Sequence, residues 1–128
     1  MHPHQLVAHR GYCARAPENT RSAILAAIEV GALFIEIDIQ FSRDCQPLVY
    51  HDVCLSRVSG IDEPNNKVVT RDIDDLSRLP AHEPKRLSDS FKSEKIASLR
   101  SLWPIFEQYP DITFFLEYFI TADLNLLT

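Results

Sequence analysis

Two histidines, an arginine and three carboxylates stand where apolar runs of this sequence give way to polar loops. His9 and Arg10 close the short apolar run that starts at Gln5, and Glu36 and Asp38 alternate with Ile35, Ile37 and Ile39. His51 follows Pro47 to Tyr50, and Glu117 follows Ile112 to Leu116. Imidazole titrates near neutral pH, so His9 and His51 can divide proton work at a reacting centre. One accepts a proton from a nucleophile and the other donates to a leaving oxygen, and chain order does not say which does which. Carboxylate oxygens suit hard divalent cations such as Mg2+ or Ca2+. Glu36 and Asp38 share one face of a strand and supply two such ligands, with Glu117 a third. A cation held there would neutralise a phosphate oxygen, and the planar guanidinium of Arg10 would contact another unless it serves as a salt-bridge partner.

For these side chains to meet, the elements carrying them must run in the same direction. Gln5 to His9 reads as a buried strand stopped by the glycine of His9-Arg10-Gly11. Asn19 or Thr20 can cap a helix over Arg21 to Val30, with Ile24, Leu25 and Ile28 at helical spacing and Gly31 at its end. Phe34 to Ile39 has the period of two of a strand, apolar on one face and acidic on the other. Such alternation also fits the solvated face of an edge strand in an antiparallel sheet, but the surrounding order of strands and helices argues against it. Ser42 to Gln46 reads as a turn and Pro47 to Tyr50 as a further strand. Val53 to Thr70 and Pro80 to Glu94 read as loops, with a short helix between them capped by Thr70 or Asp72 and running to Leu79. Ser98 can cap a helix carrying Leu99, Leu102, Ile105 and Phe106, which Pro104 should bend. The predicted class is α/β, with parallel βα units whose strand ends at His9, Asp38, His51 and Glu117 gather on one rim.

Bulk properties exclude some functions. The 128 residues, 45% hydrophobic and 24% charged, suit a single domain. A formal net charge of -5 gives no footprint for nucleic acid or an anionic membrane, so a small anionic substrate would need local compensation. Cys13, Cys45 and Cys54 lack metal or redox spacing and read as reduced thiols. With no signal-like or membrane-spanning run, the expected location is cytoplasmic.

The ordered blocks His9-Arg10-Gly11, Pro17-Glu18-Asn19-Thr20, Gly31-Ala32, Ile35-Glu36-Ile37-Asp38 and Pro47-Leu48-Val49-Tyr50-His51-Asp52 resemble the glycerophosphodiester phosphodiesterase family, and the match extends through Ser98-Leu99 and Phe115-Leu116-Glu117. The resemblance implies a (β/α)8 barrel and metal-dependent hydrolysis of glycerophosphodiesters to an alcohol and glycerol 3-phosphate, in lipid metabolism. It assigns catalysis to His9 and His51, phosphate contact to Arg10 and metal binding to Glu36, Asp38 and Glu117, with Mg2+ or Ca2+ as cofactor. Three departures accompany it. Asp44-Cys45 replaces a frequent Asp-Gly turn, and Phe119 stands where the family commonly has lysine. A (β/α)8 barrel takes about 250 residues, so residues 1–128 read as the N-terminal half of one, apparently truncated. An open half-barrel would expose strand edges and favour self-association. Alternative readings are a catalytically silent remnant or interaction fragment and, within the same superfamily, a phospholipase D-like enzyme acting on lysophospholipids.

Overall fold

The computed structural model describes residues 6–118. Strand β2 (Phe34–Phe41) is its axis: residues 35 to 40 are all buried, as a strand covered on both faces must be. On one side β2 pairs in parallel with β1 (Val7–His9), which is joined to it by helix α1 (Arg21–Glu29). On the other side it pairs in parallel with β5 (Thr113–Tyr118). The register sets His9 opposite Glu36 and Asp38 opposite Glu117, so three neighbouring strands deliver the acidic residues and one histidine to the same level. The opposite face of β2 carries Ile35, Ile37 and Ile39, fully buried against Ile24 and Ala27 of α1 and against Leu102 and Ile105 of a second helix. That helix, α4 (Leu99–Gln108), starts where expected: the Ser98 hydroxyl accepts from the Ser101 N–H at 3.1 Å, and the helix continues through Pro104.

Thr20, rather than Asn19, caps α1, its hydroxyl accepting from the Ala23 N–H at 3.2 Å. The turn after β1 lies directly on this helix. The Tyr12 N–H donates to the Ala23 carbonyl at 2.8 Å, and a Cβ on Gly11 (φ +77) would sit 2.7 Å from the Ala23 carbonyl carbon. Glycine is therefore required there both for space and for backbone conformation.

Strand β3 (Pro47–Val49) corrects the all-parallel expectation, because it runs antiparallel to β2, with Ile39 opposite Val49 and Phe41 opposite Pro47. A parallel return needs a crossover of about a dozen residues or more, and the Ser42 to Gln46 turn is too short for one. The hairpin still brings His51 to the rim. Chain reversal carries the end of β3 back to the level of Asp38, whose carbonyl accepts from the Tyr50 N–H at 2.9 Å. Cys45 in this turn adopts φ +60, the left-handed conformation that the replaced glycine would take at no steric cost.

Residues 51–96, expected as loop around one helix, instead pack a second core. Leu48, Tyr50, Leu55, Val58, Val68, Leu76, Ala81 and Ile96 form one buried cluster. The segment contains a 3-10 turn at Val68–Thr70 and two short helices, α2 (Ile73–Leu76) and α3 (Pro84–Leu87). α2 is shorter than expected, and the Asp72 carboxylate, at its cap position, pairs with Arg43 at 2.9 and 3.0 Å. Asp44 Oδ1 accepts the Ile73 N–H instead, at 2.9 Å. The excursion rejoins the sheet through β4 (Ala97–Ser98), antiparallel to β3.

Candidate active site

The carboxylates of Glu36, Asp38 and Glu117 offer oxygens that all lie within 4.8 Å of one another, Glu36 and Asp38 buried and Glu117 exposed. Both oxygens of Glu36 are buried without a hydrogen-bond partner among the described residues. His9 Nε2 lies 3.0 Å from Glu36 Oε2 without hydrogen-bond alignment. Burial pushes the Glu36 carboxyl up to about 7, aided by the closeness of the Asp38 carboxylate and the negative charges of Asp38 and Glu117, against the pull of Arg10. Buried acceptor oxygens that lack donors, next to two further carboxylates, fit a divalent cation with oxygen preference.

Asp38 is held from the α1 side. Asn19, itself at φ +57, donates from Nδ2 to Asp38 Oδ2 at 2.9 Å and accepts the Asp38 N–H at 3.1 Å through Oδ1. Arg10, at φ +56, places Nε 3.3 Å from Asp38 Oδ2 and Nη1 3.1 Å from Glu18 Oε2.

His51 joins the same rim through a second set of charges. Its Nδ1 lies 2.9 Å from Asp52 Oδ1. Arg57 donates to both oxygens of Asp52 and both oxygens of the buried Glu18. Burial would raise the Asp52 carboxyl, but hydrogen bonds from Arg57 and His51 hold it below its ordinary value. Glu83, buried at φ +44, accepts the Glu18 N–H at 2.8 Å and is forked by Arg86 at 2.7 and 3.0 Å. Burial would raise Glu83 too, and Arg86 with the Glu18 N–H hold it low.

His9, Arg10, Glu36, Asp38 and Glu117 are therefore brought together directly, and His51 is linked to them through Asp52, Arg57, Glu18 and Arg10. Sequence reasoning assigned no role to Glu18, Asp52, Arg57, Glu83 or Arg86, and it took Asn19 only as a helix cap. Glu18, Asn19 and Asp52 lay within the motif blocks, whereas Arg57, Glu83 and Arg86 sit in the excursion, where no periodicity or spacing marks them. Phe119 lies outside the described residues.

Parallel strands that gather three carboxylates and a histidine at one level, with helices packed on the far face, define a mixed α/β protein. Comparison with known proteins names the lineage: residues 9–121 match the Glycerophosphoryl diester phosphodiesterase family, and the chain belongs to it. Human glycerophosphodiester phosphodiesterase 1 is 34% identical over 94 residues, 73% of this chain and 28% of that protein. A glycerophosphodiester phosphodiesterase of Caldanaerobacter subterraneus is 29% identical over 123 residues, 94% of this chain and 46% of that protein. Among solved structures, a phosphodiesterase from Oleispira antarctica in complex with the product sn-glycerol-3-phosphate superposes with a TM-score of 0.79 at 30% identity, over 90% of this chain and 44% of its own. The chain thus spans less than half the length of these relatives. Among the described residues no helix is long and apolar enough to cross a membrane.

Proposed function

We propose that this chain carries the principal catalytic groups of a metal-dependent hydrolase that cleaves glycerophosphodiesters to an alcohol and glycerol 3-phosphate. The observation that carries the reading is the convergence of Glu36, Asp38 and Glu117 within 4.8 Å, with His9 3.0 Å from Glu36. Glu36, Asp38 and Glu117 would hold the cation, Mg2+ or Ca2+, which supplies charge neutralisation at a phosphate oxygen when bound. His9 stands at the edge of that cluster, its side chain 62% exposed and accessible to substrate. His51, its Nδ1 turned to Asp52, directs the opposite edge of its ring away from that carboxylate. In hydrolysis, one imidazole takes a proton from attacking water as its oxygen bonds to phosphorus. The other gives a proton to the alcohol oxygen as the phosphorus–oxygen bond breaks. Arg10, its guanidinium set between Glu18 and Asp38, would stabilise charge on the phosphoryl oxygens.

The same reading takes β1, β2 and β5 as successive staves of a (β/α)8 barrel, with the site at their carboxyl ends. Val7 and Phe115 share the face of Glu36, and each is nearly half exposed, which supports self-association through the open face. The free cysteines accord with a cytoplasmic setting, and cleavage of glycerophosphodiesters would place the activity in lipid metabolism. The deciding assay follows glycerophosphocholine hydrolysis by the purified chain, with Mg2+ or Ca2+ and with chelator. Release of glycerol 3-phosphate that needs metal and disappears in His9→Ala and His51→Ala supports the reading. A folded chain that releases none with either metal overturns it.

A further inference from the structure

We infer that Arg57 is a positioning residue that sets His51 and Arg10 at the same time, an inference that rests on the hydrolase reading for its kinetic consequence but not for its geometry. Arg57 lies in the excursion, just after the buried Leu55. Its guanidinium gives Nε to Asp52 Oδ2 and Nη2 to Asp52 Oδ1, both at 2.9 Å, and Nη1 to Glu18 Oε1 at 2.7 Å and Nη2 to Glu18 Oε2 at 2.9 Å. Two carboxylates are thus gripped by one rigid plane. Each of them passes its orientation on. Asp52 Oδ1, fixed by the fork, also meets His51 Nδ1 at 2.9 Å. Glu18 Oε2, fixed by the other side of the fork, also accepts from Arg10 Nη1 at 3.1 Å.

An aspartate hydrogen-bonded to one ring nitrogen selects the imidazole tautomer and ring angle, and it does so only when its own carboxylate plane is fixed. Without the fork the Asp52 carboxylate can rotate about its last torsion, and its hold on His51 Nδ1 is loosened. The far side of the arrangement is anchored as well, since the Glu18 N–H is bound by Glu83, which Arg86 forks in turn. The excursion 51–96 therefore supplies a brace to the rim. Lysine in place of Arg57 retains the charge but offers no planar fork, so it separates a charge effect from a geometric one.

The test reads His51 directly in the 128-residue chain, by nitrogen-15 and proton NMR of the imidazoles at pH 8, with assignment by the signals lost in His51→Ala. Wild type should show one His51 environment, protonated at Nδ1 and protected from exchange. In Arg57→Gln and Arg57→Lys the protected Nδ1 proton should vanish and the ring-nitrogen shifts should move toward the average of two tautomers, while circular dichroism stays native. Glycerophosphocholine turnover should then fall roughly 10- to 100-fold in kcat with KM within about twofold, the size usual for groups that orient a catalytic ligand. If wild type shows no turnover, the hydrolase reading fails and the His51 spectrum alone decides the positioning role. If Arg57→Gln does not fold, Arg57→Lys decides. Unchanged His51 signals in a folded Arg57 variant overturn the inference, as does a loss of turnover that appears in KM alone.

Discussion

Replacing Glu36 by glutamine should stabilise the metal-free protein, and the size of the effect should depend on pH. The Glu36 carboxyl is raised from 4.5 to about 7 in the fold, because burial and its acidic neighbours oppose the charged form. A carboxyl whose pKa is higher folded than unfolded binds its proton more tightly in the native state, so stability falls as pH rises from 4.5 to 7 and levels off above. At 1.36 kcal/mol per pKa unit, the penalty reaches about 3 kcal/mol at pH 8 and is about 1 kcal/mol at pH 5. Glu36→Gln keeps the shape and abolishes the charge. In urea unfolding followed by circular dichroism with chelator present, the variant should exceed wild type by up to about 3 kcal/mol at pH 8 and by about 1 at pH 5. Saturating Mg2+ or Ca2+ should reverse the order at pH 8, because a ligand that binds only the native state stabilises it and the variant has lost a charged ligand. Calorimetry should find more protons released per cation bound at pH 6 than at pH 8, because Glu36 must give up its proton to bind the cation. A variant no more stable than wild type at pH 8, or a gain that ignores pH, would refute the reasoning.

Three further outcomes follow from the geometry. Asn19→Ala strips Asp38 of two hydrogen bonds, at 2.9 and 3.1 Å, in a buried setting. It should cost about 2 kcal/mol in urea unfolding and weaken metal binding about tenfold by calorimetry. Gly11→Ala forces a Cβ to within 2.7 Å of the Ala23 carbonyl carbon at φ +77, so expression of folded protein should fail or stability should drop by at least about 2 kcal/mol. Cys45→Gly relieves the left-handed φ of +60 in an exposed turn and should raise Tm by a few degrees, on the order of 1 kcal/mol.

The residues nearest the chemistry were legible because local pattern and position coincide there. The alternation in β2 can be satisfied in only one register once Ile35, Ile37 and Ile39 are buried, and that register turns Glu36 and Asp38 to the other face. Thr20 and Ser98 announced their helices through hydroxyls that cap in the structure. The direction of β3 was not legible from its own residues, since an apolar strand reads alike either way; the length of the turn before it held the information. The second core escaped notice for a different reason. Leu55, Val58, Val68, Leu76, Ala81 and Ile96 are spaced without a period of two or 3.6, and they converge through turns and bridges such as the one between Cys54 and Lys67. With that core unseen, Arg57 and Glu83 could not be placed beside Glu18, which is distant from both in sequence.

The charges of the rim divide into two halves that solve the same electrostatic problem differently. Around His51, Glu18, Asp52 and Glu83 each meet Arg57 or Arg86, so most of the charge of this half is offset by the protein's own cations. Around His9, Glu36 and Glu117 stand close to Asp38, and the nearest arginine, Arg10, is already shared with Glu18. Three carboxylates served by part of one guanidinium leave a local excess of negative charge, which adds to burial in holding the Glu36 proton up to about 7. On the proposed reading, an anionic phosphodiester would meet repulsion in that half until a proton or a divalent cation cancels the excess. The formal net charge of -5 supplies no overall attraction for an anion to offset this repulsion. On the proposed hydrolase reading, this uneven division would tie substrate binding to occupation of the carboxylate cluster, while the arginine-braced half would position its histidine in either case.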